Sequence, residues 1–286
     1  MNLRTETAPG GNGVAGEPII RPTFRLSDLW RAPLHDLPIR DEILYQYLPL
    51  GRETSVLEVG PGSGFTAYRL ARQVKRVVSL DVAERNIARL QNALSRVANL
   101  RFVCGDICGP EVIRLTGGAF DAVFALDVLQ YVPHPDRLFL ALAETLRSGG
   151  SLLVQWPNYP AARTGGTSYV TTRKALDGML GDAGFTAWEV YVLKLRRFPA
   201  LWFDTLHELP LRLLRSLRNP TGDERPQVYD QTWALNRQQR WETLQVPLNL
   251  AWTVLMAAMR MGGPCFERIP LHGETIDGNL MVLAKR

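Results

Sequence analysis

The chain has 286 residues, of which 46% are hydrophobic and 21% charged, and its formal net charge is +5. This length can bury one large core, or a core with a smaller lobe, and the modest positive charge permits an anionic partner without requiring one. No apolar run reaches the roughly eighteen residues of a membrane span and the N-terminus lacks a signal-like pattern, so we expect a cytoplasmic protein with a disordered tail over residues 1–22. Its three cysteines, Cys104, Cys108 and Cys265, lack metal-ligand spacing, which predicts free thiols and no metal.

Residues 54–156 repeat one pattern of a short apolar run, a Gly or Asp turn and a helical segment. The apolar runs are nearly unbroken, which is typical of strands buried on both faces: SVLEVG, RVVSLD, LRFVCGD, FDAVFALD and SLLVQWP. Helical periodicity separates them, in FTAYRLARQV, AERNIARLQNALSRV and PHPDRLFLALAETLR. The alternation predicts an α/β fold with a parallel sheet and right-handed crossovers. Gly149 and Gly150 are predicted to cap the last of these helices.

The first turn, in EVGPGSG, places Glu58 and three glycines, Gly60, Gly62 and Gly64, between a buried strand and a helix. Ligands of such sheets bind beyond the carboxyl ends of the strands, where glycines let the backbone approach a ligand and helix N–H groups face it. A plain strand-to-helix turn is the alternative. A dinucleotide fingerprint would need a third glycine at the position of Phe65, and a Walker A loop would need Gly-Lys-Ser or Gly-Lys-Thr. Both are therefore excluded.

The E-x-G-x-G-x-G pattern resembles the first motif of the class I S-adenosylmethionine-dependent methyltransferases. FDAVFALDVLQYVPHPDRLFLALAETLRSGGSLLV resembles a later segment of the type 11 group of small-molecule methyltransferases, and the match covers residues 52–157. The resemblance implies a Rossmann-like sheet of seven mainly parallel strands, with an antiparallel last strand and a helical insertion before it. It also implies S-adenosyl-L-methionine as cofactor, with the glycine loop around its methionine and ribose and with Glu58 positioning the loop and the cofactor's ammonium group.

Acidic residues at further strand ends match positions that the family uses. Asp81 stands where the family places the carboxylate that accepts from the ribose hydroxyls, and Asp106 matches the residue that accepts from the adenine amino group. Val82 and Ile107 follow these acids and would flank the adenine ring. Asp127, which begins the next motif, completes the predicted cofactor site. Asp81 and Asp106 have an alternative role, since Asp at a strand end commonly caps the next helix.

Methyl transfer requires alignment of nucleophile, methyl group and sulfur, and a weakly acidic acceptor also needs a base. The candidate catalytic bases are His134, which follows the LDVLQYV motif, and His272, in the loop before the last strand. His134 also suits a solvated helix start. Tyr131, assigned to the acceptor pocket, stands where many relatives carry His, so a histidine-dependent mechanism does not carry over safely from the family.

The domain prediction is a cofactor-binding core at 23–196, a helical lid or acceptor-binding insertion at 197–276, and a last core strand at 277–286. Because the sixth strand ends and the last strand begins on the cofactor face, the insertion must lie at the edge of the active site. Its Trp252 and Met256 are predicted to line the acceptor pocket. The insertion also carries an apolar helical stripe with arginines on another side, which suits a lid, a membrane surface that admits a lipid-like acceptor, or a partner or dimer surface.

The predicted function is methyl transfer from S-adenosylmethionine to a small, fairly apolar acceptor, with oxygen ahead of carbon as the target atom. One alternative is a noncatalytic or cyclase-type member of the fold that keeps the cofactor as a structural element. A nucleic-acid methyltransferase is disfavoured, because Asp127 stands where a methylase of base nitrogens would show a Pro-Pro-aromatic signature and Cys265 lies far from the fourth strand end. No nucleic-acid partner is expected, and the sequence leaves the oligomeric state open.

Overall fold

A computed structural model describes residues 39–159, 169–195, 266–271, 274 and 276–286. The described residues contain eight strands: β1 (Ser55–Val59), β2 (Arg76–Asp81), β3 (Leu100–Cys104), β4 (Phe120–Leu126), β5 (Leu146–Asn158), β6 (Ala187–Leu195), β7 (Phe266–Pro270) and β8 (Gly278–Lys285). They also contain a 3-10 helix, Leu129–Tyr131, and six α-helices: α1 (Ile39–Tyr47), α2 (Phe65–Ala71), α3 (Glu84–Ala93), α4 (Val112–Thr116), α5 (Pro135–Thr145) and α6 (Arg173–Asp182). None of these described helices has the length and hydropathy to cross a bilayer. The predicted tail, residues 1–22, lies outside the described residues.

The strands form one sheet in the order β3-β2-β1-β4-β5-β8-β6-β7. Strands β1 to β5 pair in parallel, and β8 lies between β5 and β6, antiparallel to both. The predicted Rossmann-like fold class, with a mainly parallel sheet and an antiparallel last strand, is confirmed. The described sheet has eight strands rather than seven, because β7 adds to β6 antiparallel at the edge. This strand falls inside the segment 197–276 that was predicted to be helical.

Alternate residues of the central strands pack into apolar cores on opposite faces of the sheet. On one face, Leu57 of β1 belongs to the same core as Leu142 of α5. On the other face, Val56 belongs to the same core as Leu70 of α2. Each such side chain contributes about 1.5–3 kcal/mol by leaving water. Helices cover both faces, which explains why these strands are nearly unbroken apolar runs in the sequence.

The pairing register places the described strand ends that carry candidate ligand-binding residues at one edge of the sheet, named here the C-terminal edge. The parallel strands β1 to β5 all end there, since parallel neighbours point the same way. Asn158, the last residue of β5, lies opposite Gly278, the first residue of β8. The last strand therefore begins at the edge where the parallel strands end, as predicted.

The predicted helix cap at Gly149 and Gly150 is wrong. Helix α5 ends at Thr145, and Leu146 already pairs with Phe120 in the sheet. Gly149 has a left-handed φ of +75°, but its N–H donates to the carbonyl of Arg286 at 2.8 Å. Pairing with residues distant in sequence therefore draws this segment into β5.

Candidate cofactor-binding site

The glycine turn between β1 and α2 has left-handed backbone at each glycine, with φ of +74° at Gly60, +53° at Gly62 and +78° at Gly64. A Cβ at Gly60 would lie 2.5 Å from Val128 Cγ2, and one at Gly64 would lie 2.5 Å from Leu90 Cδ2. A side chain at either glycine would therefore strain the backbone and also displace Val128 or Leu90. A Cβ at Gly62 would meet no heavy atom of the described residues within 4 Å. Gly62 thus faces open space, where a ligand can approach its backbone.

Hydrogen bonds between β1 and β2 hold the entry to this turn. Glu58 is buried on β1, and Ser79 Oγ of β2 donates to its Oε2 at 2.6 Å. The N–H of Gly60 donates to the carbonyl of Leu80 at 2.9 Å. The buried carboxylate is therefore placed where it can support the turn, while its contact with the cofactor's ammonium group stays a prediction.

Asp81 and Asp106, at the ends of β2 and β3, make the same local hydrogen bond. Oδ1 of Asp81 accepts from the N–H of Ala83 at 3.0 Å, and Oδ1 of Asp106 accepts from the N–H of Cys108 at 2.9 Å. The residues at the N-caps of α3 and α4 are Ala83 and Glu111. Neither aspartate is therefore a helix cap, and each carboxylate keeps acceptor capacity for a ligand, because a carboxylate can accept about four hydrogen bonds.

The predicted adenine-flanking residues lie beside these acids with different exposure. The N–H of Gly105 donates to the carbonyl of Asp81 at 3.0 Å, which holds the ends of β2 and β3 together. Val82 is 68% exposed, whereas Ile107 is buried in the core. An exposed aliphatic side chain at the C-terminal edge offers an apolar surface for a ring. Burial, with the nearby Asp106 carboxylate, raises the pKa of the Cys108 thiol, which disfavours a nucleophilic thiolate here.

Asn86, on α3, links Asp81 to the glycine turn, although the sequence pattern alone does not identify it. Its Nδ2 donates to the carbonyl of Gly62 at 3.0 Å and to Asp81 Oδ2 at 3.4 Å. Arg89 Nη2 donates to Asn86 Oδ1 at 2.8 Å and to the Gly62 carbonyl at 3.3 Å. The available signal was the position of Asn86 next to Ile87 on the apolar face of α3, since a polar group buried there must find partners.

Asp127 follows β4 in a left-handed conformation, with φ of +55°, which is uncommon for a residue other than glycine. Hydrogen bonds to β5 and to the following 3-10 helix hold it there. Its N–H donates to the carbonyl of Gln155 at 2.8 Å, its Oδ1 accepts from Gln155 Nε2 at 3.2 Å, and its carbonyl accepts from Gln130 Nε2 at 2.9 Å. Gln155 Nε2 also donates to Asn279 Oδ1, so the contacts join β4, β5 and β8. The structure thus fixes Asp127 at the C-terminal edge.

Of the residues predicted for catalysis and for the acceptor pocket, the structure describes Tyr131 and His134. Tyr131 ends the 3-10 helix and is 48% exposed. His134 is the exposed N-cap residue of α5, and its side chain makes no capping hydrogen bond. His272, Trp252 and Met256 lie outside the described residues.

A buried amide at the end of β5 joins the segment before α6 to the segment before β8. Asn158 is fully buried, and its Nδ2 donates to the carbonyls of Val170 and Ile276, each at 2.8 Å. Its Oδ1 accepts from the N–H of Val170 at 3.0 Å and from Trp156 Nε1 at 3.1 Å. Two donors and two acceptor bonds satisfy this amide completely. The segments near 170 and 276 are thereby held together at the C-terminal edge.

Comparison with known proteins identifies the domain. Residues 57–154 match the family described as "Methyltransferase domain". A ubiquinone biosynthesis O-methyltransferase from Coxiella burnetii is 30% identical over 122 residues, which are 42% of this chain and 50% of that protein. Ribosomal RNA small subunit methyltransferase A from a Geobacillus species is 28% identical over 91 residues, 32% of this chain and 31% of that protein. The chain therefore spans half or less of the length of these curated relatives.

The fold is shared with a solved structure of wider coverage. The crystal structure of the 4+2 cyclase SpnF matches with a TM-score of 0.52 and 17% identity, over 90% of this chain and 84% of that chain. At this identity the likeness shows the fold alone. The family match spans β1 to β5 and includes the glycine turn, both aspartates and Asp127, so the predicted family and its cofactor, S-adenosyl-L-methionine, are confirmed. Residues 57–154 of this chain therefore resemble the class I S-adenosyl-L-methionine-dependent methyltransferases in sequence and in fold.

Proposed function

We propose that the protein transfers the methyl group of S-adenosylmethionine to an oxygen atom of a small, fairly apolar acceptor. The observation that carries the proposal is the open backbone at Gly62, beside the Asp81 carboxylate and the exposed Val82 side chain. This set of groups fits a ligand with a polar chain, two hydroxyl donors and an apolar ring. When bound, the cofactor supplies a methyl group on a sulfonium, which is already a good leaving group.

In this proposal the residues of the core bind the cofactor and orient it. The turn at Gly62 admits the methionine part of the cofactor. Glu58, on the strand that precedes the turn, supports it through the hydrogen bond to Ser79. Asp81 accepts from the ribose hydroxyls and Asp106 from the adenine amino group, because carboxylates are acceptor-only groups. Val82 supplies one apolar wall for the ring, and Ile107 supplies the opposite wall from the edge of the core.

The acceptor lies between the C-terminal edge and the predicted insertion. Tyr131 is half exposed at this edge, and Leu195 and Phe266, the described residues on either side of the predicted insertion, pair with each other in the sheet. We expect the chain between these two residues to form a lid that carries Trp252 and Met256. His134 or His272 takes the proton of a weakly acidic acceptor, while a phenol can react with weaker assistance.

The choice of oxygen rests on the curated relatives. The ubiquinone biosynthesis enzyme of Coxiella burnetii is an O-methyltransferase. Its alignment with this chain covers 122 residues and so extends beyond the family match at residues 57–154. The ribosomal RNA enzyme aligns over 31% of its own length, which is too little to favour a nucleic-acid acceptor.

The test uses cofactor with a deuterated methyl group and a panel of phenols, aliphatic alcohols and carbon acids. We expect S-adenosylhomocysteine to form only when a hydroxyl acceptor is present, with the label on oxygen by mass spectrometry and NMR. The variant Asp81→Ala should lose this turnover. Label on carbon would contradict the choice of atom. Cofactor binding without any transfer across the panel would favour the noncatalytic or cyclase-type alternative, a role consistent with the fold shared with SpnF.

A further inference from the structure

The Asn86 side chain connects two parts of the site that lie on separate loops. The carbonyl of Gly62 belongs to the turn after β1, and Asp81 ends β2. One NH2 group serves both, at 3.0 Å from the carbonyl oxygen and 3.4 Å from the carboxylate oxygen. An amide nitrogen carries two hydrogens, so both bonds form at the same time without competition.

Arg89, one turn further along α3, determines which way this amide faces. Its guanidinium can only donate, and its Nη2 lies 2.8 Å from Asn86 Oδ1. The amide oxygen must therefore face Arg89, which leaves Nδ2 toward Gly62 and Asp81. The Gly62 carbonyl also accepts from Arg89 at 3.3 Å, so two residues of α3 hold the same peptide group.

Packing alone does not explain an asparagine at this position. Asn86 is only 4% exposed, yet asparagine is a poor helix former and its amide is costly to bury without partners. Ile87 and Leu90 already supply the apolar contacts of α3. The partners of Asn86 are, apart from Arg89, the two groups that face the cofactor.

We propose that Asn86, oriented by Arg89, is a positioning residue that holds Gly62 and Asp81 in the arrangement that binds the cofactor. The inference rests on the proposed cofactor contacts of these two residues. Glycine has wide backbone freedom, so an unsupported turn would have to be ordered when the ligand binds. Hydrogen bonds from α3 order the turn beforehand, which lowers the entropic cost of binding.

A matched pair of substitutions on α3 tests the proposal. Asn86→Asp keeps the shape of the side chain but removes the donor and places a second carboxylate beside Asp81. Gln91→Glu makes the same chemical change five residues later, where Gln91 Nε2 donates to the carbonyl of Phe102 at 3.0 Å, away from the turn. Calorimetric titration with S-adenosylhomocysteine should show at least about tenfold weaker binding for Asn86→Asp and less than about a twofold change for Gln91→Glu.

Two further measurements separate positioning from loss of folding. Hydrogen exchange of the ligand-free protein should be faster at residues 60–65 in Asn86→Asp than in the wild type, and unchanged there in Gln91→Glu. Arg89→Met keeps the aliphatic stem of a partly exposed side chain and should weaken binding by a smaller factor, even if Asn86→Asp proves too unstable to purify. The losses of Asn86→Ala and Asp81→Ala should be less than additive, because the two residues act through one contact.

The outcomes are distinguishable. Wild-type protein that does not bind S-adenosylhomocysteine would overturn the cofactor site and this inference with it. Wild-type binding with equal affinities for Asn86→Asp and Gln91→Glu would overturn the positioning role alone. Equal loop exchange in all variants, or fully additive losses with Asp81→Ala, would also contradict it.

Discussion

Replacing Gly62 by alanine separates ligand contact from backbone strain, because the chain offers a matched control. Gly62 has φ of +53° and Gly184, in the turn after α6, has φ of +85°. A Cβ at either position would meet no heavy atom of the described residues within 4 Å. The two substitutions therefore impose the same kind of backbone penalty and add the same methyl group. Only Gly62 lies at the proposed cofactor contact.

The magnitudes follow from this geometry. A side chain in the left-handed region costs roughly 1–2 kcal/mol, so both variants should lose a comparable free energy of unfolding. At Gly62 the added methyl group occupies the space through which a ligand approaches the backbone. We expect cofactor binding to weaken by at least about tenfold, which corresponds to about 1.4 kcal/mol. Gly184→Ala should keep the affinity of the wild type.

The assay is calorimetric titration with S-adenosylhomocysteine, together with urea unfolding of both variants. The unfolding curves measure the free energy lost to backbone strain. The titrations, on the same protein preparations, measure the affinity for the ligand. If Gly62→Ala binds as tightly as Gly184→Ala while both are folded, then the turn does not contact the cofactor at this position. A loss of affinity that Gly184→Ala shares would indicate an effect of global stability instead.

Three further predictions address the cofactor, the lid and the end of β5. Wild-type protein should bind S-adenosylhomocysteine and show no saturable binding of NAD, because Phe65 occupies the third-glycine position of the dinucleotide fingerprint; tight NAD binding would reverse this assignment. Trp252→Ala should spare cofactor affinity and lower catalytic efficiency by roughly tenfold to a hundredfold, as expected when an aromatic wall worth about 1.5–3 kcal/mol is lost. A lower melting temperature with intact efficiency would instead assign Trp252 to packing. Asn158→Asp should lower the free energy of unfolding by roughly 3–5 kcal/mol, since a buried carboxylate cannot donate to the carbonyls of Val170 and Ile276; unchanged denaturation midpoints would contradict the role of this amide.

Local patterns predicted the elements of the core, and distant pairing determined where those predictions failed. Buried strands and amphipathic helices have periods that can be read within ten to fifteen residues, so β1 to β5 lie where their apolar runs indicate. The strand β7 has only five residues, FERIP, and ends in proline, which gives no such pattern. Its formation depends on its partner β6. Gly149 and Gly150 have the composition of a helix cap, but pairing of Leu146 with Phe120 takes the segment into the sheet.

The same limit applied to the site. Asp81, Asp106 and Asp127 could be placed from the sequence because each lies at or within two residues of the end of an apolar run, and parallel strands end at a common edge. Asn86 could not be placed, because its partner Gly62 is 24 residues away and the bond exists only when α3 packs beside the turn. Candidate ligand residues at strand ends are thus easier to locate from the sequence than a residue on a neighbouring helix that bonds to them.

The three glycines of the turn are equivalent in the motif but not in the structure, and this difference decides which substitutions can test function. A side chain at Gly60 or Gly64 would collide with Val128 or Leu90 at 2.5 Å, so loss of binding there would report disrupted packing as well as lost contact. At Gly62 an added Cβ meets none of the described residues, so the structural cost lies in the backbone conformation, for which Gly184→Ala is the control. The motif therefore combines two features, close approach of the turn to Val128 and Leu90 at its outer glycines and open space at its middle glycine, where we propose that the cofactor approaches.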